Sequence, residues 1–221
     1  MPKTRSEKRF ERYLNDRGVG FEYEPDLGTS FKPDYRVFVG DTEAICEVKE
    51  FATNWLTDRL SSIGSAGMDQ VTRAVRKRVR RAAEQLADLA PRDDLPLVVV
   101  LSNPQQADVD LDPQVVWAGL YDEAGPLARN RADHVSAVVI LERRTAAQDW
   151  AEENVRQHKN PLDALLAAFR ADEEGTVPEG ERLFVTVLPT ISTSAAPLPS
   201  TLFAGDEDTI WRPAAARRGE A

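Results

Sequence analysis

The amino-acid sequence predicts an α/β domain, a mixed central β-sheet flanked by helices on both faces. Three features predict it. A short amphipathic helix is followed by three strands in a tight meander, a long helical stripe covers about residues 69–90, and two apolar runs, Leu97 to Leu101 and His134 to Leu141, suit buried strands.

The elements follow in order. Phe10, Tyr13 and Leu14 behind Ser6 give a first helix of about three turns, closed by Gly18, a residue free to adopt the left-handed backbone of a helix C-terminus. Phe21 to Glu24 alternates as a short strand. The turn-rich stretch Pro25 to Pro33 leads to a strand at Tyr35 to Val39, and Gly40-Asp41 turns the chain into Ala44 to Lys49. Residues 51–69 have no clear period and read as a loop with a helical turn. Val71, Val75, Val79, Ala82, Leu86 and Leu89 recur at helical spacing, with Arg73, Arg76, Lys77, Arg80, Arg81 and Gln85 on the other face. Residues 102–133 read as a polar insertion with a short helix near Val115 to Tyr121. Asn160-Pro161 starts a helix carrying Leu162, Leu165, Leu166 and Phe169, and Leu183 to Leu188 is a last strand. The expected organisation is one domain over residues 1–205, with the insertion at about 102–133, and a flexible tail over 206–221.

Composition narrows the function classes. The chain has 221 residues and a net charge of −9, unevenly placed: residues 1–101 carry 17 basic and 17 acidic residues, residues 102–221 carry 11 against 20. Basic residues cluster in Lys3 to Arg12 and Arg73 to Arg81, and such local faces matter more for phosphate contact than the total. No run of eighteen apolar residues exists and the N-terminus has no apolar core of a secretory signal, so a membrane is excluded and a cytoplasmic location expected. Cys46 is the single cysteine, which rules out an internal disulfide and fits a reducing compartment. His134 and His158 are too far apart for a metal motif. Trp117, Trp150 and Trp211 are assigned to packing, and the serines around Gly64 lack the phosphate-loop pattern.

One constellation carries chemistry. Asp34 opens the second strand and Glu47 lies in the third. Alternation puts Ile45, Glu47 and Lys49 on one face and Ala44, Cys46 and Val48 on the other; the small apolar set is expected in the core and the Glu47/Lys49 pair exposed beside Asp34. Two or three carboxylates and a backbone carbonyl, here that of Val48, suffice for magnesium, which takes oxygen ligands and keeps several waters. Lys49 is then within reach of an attacking water, to orient it, accept its proton or stabilise phosphorane charge. A carboxylate from the first helix, Glu7 in preference to Glu11, completes the shell.

Pro33-Asp34 and Glu47-Val48-Lys49, preceded by the helix with Glu7 and followed by the helix with Gln85 and the strand Leu97 to Leu101, resemble the PD-(D/E)xK, or restriction-endonuclease-like, nuclease superfamily over roughly residues 6–101. The resemblance implies a restriction-endonuclease-like core and a Mg2+-dependent endonuclease, with Mn2+ as a substitute, that cuts DNA to 5′-phosphate ends. It implies Asp34 and Glu47 as metal ligands, Lys49 as the catalytic lysine and Glu7 as an accessory ligand, with Gln85, Arg81, Lys77 and Arg73 on the substrate side. A homodimer or a partner subunit is expected for cutting both strands. Two other readings stay open: an RNA-directed nuclease, and an inactive nuclease-like subunit that binds DNA or assembles a larger complex.

Overall fold

The structure, a computed structural model, describes residues 2–51, 68–92, 94–103, 111–146, 150, 153, 156–157, 181–192, 194–198, 202–203 and 209–211. Residues 52–67 of the loop expected at 51–69 and the helix starting at Asn160-Pro161 lie outside these residues, as does His158, while Met68 and Asp69 already belong to a helix. The chain divides into two compact units, Met1–Glu142 with Val185–Ala221, and Arg143–Phe184, where the sequence had suggested one domain. Among the described residues, the second unit holds the outer ends of two strands. No helix among the described residues is long and apolar enough to cross a membrane.

Helix α1 (Arg5–Asp16) begins one residue before the expected Ser6 because Thr4 caps it. The Thr4 hydroxyl accepts from Glu7 N–H, and the Glu7 carboxylate accepts from Thr4 N–H, which satisfies two amides that the helix itself leaves open. At the other end Gly18 takes a φ of 64°; its N–H bonds Asn15 C=O at 3.0 Å and Val19 N–H bonds Leu14 C=O at 2.9 Å. Strands β1 (Gly20–Tyr23), β2 (Tyr35–Val39) and β3 (Thr42–Glu50) form the antiparallel meander. The Gly40-Asp41 turn joins β2 to β3, with Gly40 at φ 59° and Val39 opposite Thr42.

Helix α2 (Met68–Leu86) runs on into a 3-10 turn at Ala87–Leu89, and β4 (Leu97–Ser102) follows, buried along its whole length. Then come α3 (Pro113–Tyr121), β5 (Ala137–Thr145), β6 (Glu181–Pro189) and β7 (Thr209–Ile210). The seven strands lie in chain order in one mixed sheet: β3, β4 and β5 are parallel neighbours, and so are β6 and β7. The sheet is therefore mixed and helix-flanked, as the coarse α/β reading expects.

Both faces of β3 are covered, because its alternate residues meet different helices. Ile45 belongs to one buried cluster with Val75, Val79 and Leu86 of α2, Val99 of β4 and Ile140 of β5. Cys46 pairs with Tyr35, whose ring meets Phe10 of α1 edge-on at 5.3 Å between centroids. Two segments are less peripheral than their composition suggested. Leu111, Val116, Leu120 and Leu127 are buried in the α2-side core, so part of the 102–133 segment belongs to the fold. Thr209–Ile210 pair with β6, and the Trp211 ring lies tilted against Trp117 at 5.4 Å between centroids, so residues 209–211 of the expected tail belong to the fold.

The cap and the glycine give a stability test. Thr4→Ala is expected to lower unfolding free energy by about 1 kcal/mol. Gly18→Ala meets open space around the added methyl, so its cost, also about 1 kcal/mol, comes from the left-handed backbone alone. Urea midpoints of the two single variants and the double check both values and their additivity.

Candidate active site

The β2–β3 ladder stops at the Tyr35–Cys46 pair, because Pro33 has no N–H to continue it. The Asp34 side chain takes over where the backbone ends. Its Oδ2 accepts the Val48 N–H at 2.7 Å, while Asp34 N–H donates to Glu47 Oε2 at 3.2 Å. The chain before it is closed by Glu24 N–H donating to Asp34 C=O at 2.9 Å, with Glu24 in a left-handed conformation at φ 48°. The structure thus brings Asp34 and Glu47 side by side.

Glu47 and Lys49 share a face with Ile45, as alternation requires, but that face is not exposed. Glu47 is 1 % exposed and the Lys49 side chain 16 %, because α2 lies over them. This corrects the expectation that the apolar set alone faces a core. Lys49 Nζ donates to Glu47 Oε1 and, at 2.7 Å, to Gln85 Oε1 of α2. Gln85 therefore belongs to the constellation as the residue that fixes Lys49. In an extended strand the N–H and C=O of one residue leave by the same edge. Val48 N–H points to Asp34, so its carbonyl leaves β3 on the side where the β2 ladder has ended.

Glu7 is buried close by, and its charge is felt by both Asp34 and Glu47. Its carboxylate is nevertheless engaged with the Thr4 N–H in the helix cap. Glu11 is turned to the Tyr35 hydroxyl, at 3.1 Å, and to Lys3. Two residues that sequence reasoning missed tie the site to its helices. Glu50 accepts the Ser6 N–H in the first turn of α1 at 2.9 Å, where the helix dipole favours a carboxylate. Arg78 lies over the Phe51 ring at 4.0 Å and donates from Nε to Glu50 C=O at 2.9 Å. Arg78 falls seven residues before Gln85, on the same side of α2, and this spacing was available in the sequence.

Electrostatics follow from the burial. Desolvation first, and then the Glu47 charge, push the Asp34 carboxyl up to about 7. Burial likewise raises Glu47, against the pull of Lys49. Two adjoining carboxylates that are both costly to ionise form a place where a cation is favoured. Among the described residues no three acidic, histidine or cysteine side chains converge to hold a metal ion. The carboxylates that do adjoin, those of Asp34 and Glu47, are the residues that could hold an ion which keeps several waters and needs one or two carboxylates.

The basic residues expected on the substrate side separate by geometry. Arg73, Lys77 and Arg81 are exposed on α2, and Lys77, Arg81 and Gln85 lie one turn apart in a row. Arg76 instead pairs with Asp122 at the end of α3, a contact internal to the fold. No protein-family profile, curated protein or solved structure matches this chain.

A pH dependence follows for the protein held in chelator. Folding raises the Asp34 pKa from an unfolded value of about 3.9, so its contribution to stability is fully present below about pH 4 and is lost as pH rises towards 7. Asp34→Asn keeps an acceptor for the Val48 N–H and removes the charge. Its Tm is expected to exceed wild type by roughly 3–6 °C at pH 8 and by little near pH 4. Paired thermal melts across that range check the sign.

Proposed function

We propose that this chain is a divalent-metal-dependent nuclease of the PD-(D/E)xK kind, built on a restriction-endonuclease-like core, hydrolysing phosphodiester bonds of DNA. The observation that carries the reading is the cluster of Asp34, Glu47, Lys49 and Gln85. The half-buried Asp34 carboxylate, just before β2, stands against the buried Glu47 of β3, beside a lysine aimed by a glutamine from the covering helix.

Asp34 and Glu47 would hold the ion, magnesium or manganese, with the Val48 carbonyl as a third protein ligand and Glu7 as the nearest reserve carboxylate. When bound, the ion supplies positive charge that polarises a phosphate oxygen and activates water. The chain's own groups do the rest. Lys49, held as a donor between Glu47 and Gln85, orients the attacking water and places a fixed positive charge beside the phosphorane. Preorganisation matters because a donor already in place costs no rearrangement in the transition state. Attack opposite the 3′ oxygen breaks the P–O3′ bond and leaves a 5′-phosphate. Lys77, Arg81 and Arg73 supply exposed positive charge along α2 for neighbouring phosphates. The same groups would serve RNA as well as DNA.

One observation favours a second reading, a DNA-binding or assembly subunit without turnover: the Glu7 carboxylate is already committed to capping α1. Nicking of supercoiled plasmid separates the two. Wild type with magnesium is expected to nick and linearise DNA, and chelator to abolish this. Asp34→Ala and Lys49→Ala are each expected to lose at least about 10²-fold in rate, and Gln85→Ala less. Binding without cleavage, unaffected by chelator, would establish the second reading. Faster cleavage of RNA than of DNA would move the substrate.

A further inference from the structure

The eleven-residue connection between β1 and β2, residues 24–34, presents an aromatic ring to solvent three residues before Asp34. Phe31 is 56 % exposed and makes no ring contact among the described residues. Phe38, the other exposed aromatic among the described residues, is covered by the Arg36 guanidinium at 5.1 Å. Exposing a phenylalanine on a loose loop is unremarkable, but this loop is held. Its ends are joined by the Glu24 N–H bond to Asp34 C=O. Leu27 packs against the α2-side core, and its carbonyl accepts from Arg92 at 3.2 Å. Ser30 donates both its N–H, at 3.0 Å, and its hydroxyl to Asp88, and the Thr29 hydroxyl donates to Phe31 C=O at 2.6 Å.

Asp88 is the next step in the row Lys77, Arg81 and Gln85, three residues beyond Gln85. The loop is therefore fastened where the basic edge of α2 ends and the Lys49 site begins. Lys32, also exposed, stands between Phe31 and the Pro33-Asp34 pair. A pinned aromatic, an adjoining lysine and a row of exposed cations leading to two carboxylates match the pattern of a single nucleic-acid strand. Phosphates track the charges, and an unpaired base stacks on the ring.

We propose that Phe31 is a stacking platform for an unpaired base next to the scissile phosphate, with Lys32 on the adjoining phosphate, so that the substrate of this site is single-stranded or locally unpaired DNA. This rests on the nuclease reading for the site but is tested by binding. The probe is a short single-stranded oligonucleotide carrying one 2-aminopurine, titrated in chelator and compared with its duplex. Wild type is expected to change the 2-aminopurine fluorescence and to prefer the single strand. Phe31→Ala is expected to lose that change and about tenfold in affinity, while Phe31→Trp retains both. Lys32→Ala is expected to lower the dependence of affinity on log salt by about one unit. An exposed ring contributes little to folding, so equal melting temperatures show that the variants are intact. Binding by Phe31→Ala that matches wild type, or tighter binding of duplex, overturns the proposal. Plasmid nicking by wild type is read in parallel. Nicking with Phe31→Ala unchanged in binding defeats the platform and leaves the nuclease; stacking without nicking does the reverse.

Discussion

The hydrogen bond from Val48 N–H to Asp34 Oδ2, 2.7 Å long, joins two strands just where their ladder has run out. A side chain substitutes for a backbone carbonyl that Pro33 and the loop before it withdraw. The bond fixes the carboxylate of Asp34 against β3, and it leaves the next stretch of β3 edge free of a neighbouring strand. Glu47 answers by accepting the Asp34 N–H. The two acids are thereby locked together through amide donors, and burial first, then the charges of Glu47 on Asp34 and of Glu7 on both, makes their ionisation costly against the pull of Lys49.

The helices complete this arrangement from opposite faces of the sheet. From one side α1 points its N-terminus at the carboxyl ends of β3 and β4: Ser6 N–H reaches Glu50, the Ser6 hydroxyl lies 3.5 Å from Ser102 C=O, and Arg9 donates to Asn103 C=O at 2.9 Å. From the other, α2 lowers Gln85 onto Lys49 and Arg78 onto Glu50 C=O. The parallel β3–β4 pair puts both strand ends at the same edge, which is why one cluster can collect residues from four elements. Desolvation lowers the pKa of the half-buried Arg78 guanidinium, and its place over the Phe51 ring helps the cation persist there.

What the sequence made legible was local. Gly18, the Gly40-Asp41 turn and the period of Val71 to Leu89 each encode their element through backbone freedom or spacing, and β2 falls where alternation put it. Asp34 with Glu47 and Lys49 could be paired because strand alternation and a two-residue turn fix register. Burial of Glu47 could not be read this way, since one face of an alternating strand looks polar whether or not a helix covers it. Glu50 as an acceptor for α1 depends on contacts 44 residues apart in sequence, and no local pattern announces them. The segment around Val116 to Leu127 looked polar on average, while a few apolar positions within it complete the core.

Cys46 lies between Ile45 and Glu47 in the middle of β3, wholly buried opposite Tyr35. Burial, and then the negative charges of Asp34 and Glu47, raise its thiol pKa, so the reactive thiolate is scarce in the closed structure. As the sole cysteine of the chain it can be alkylated only when the strand that carries the acidic pair is opened. The wild-type sequence thus contains its own clock for the opening of that strand: the alkylation rate reports how often the hairpin parts from the sheet. Whatever tightens the two carboxylates would slow that clock without any label being added.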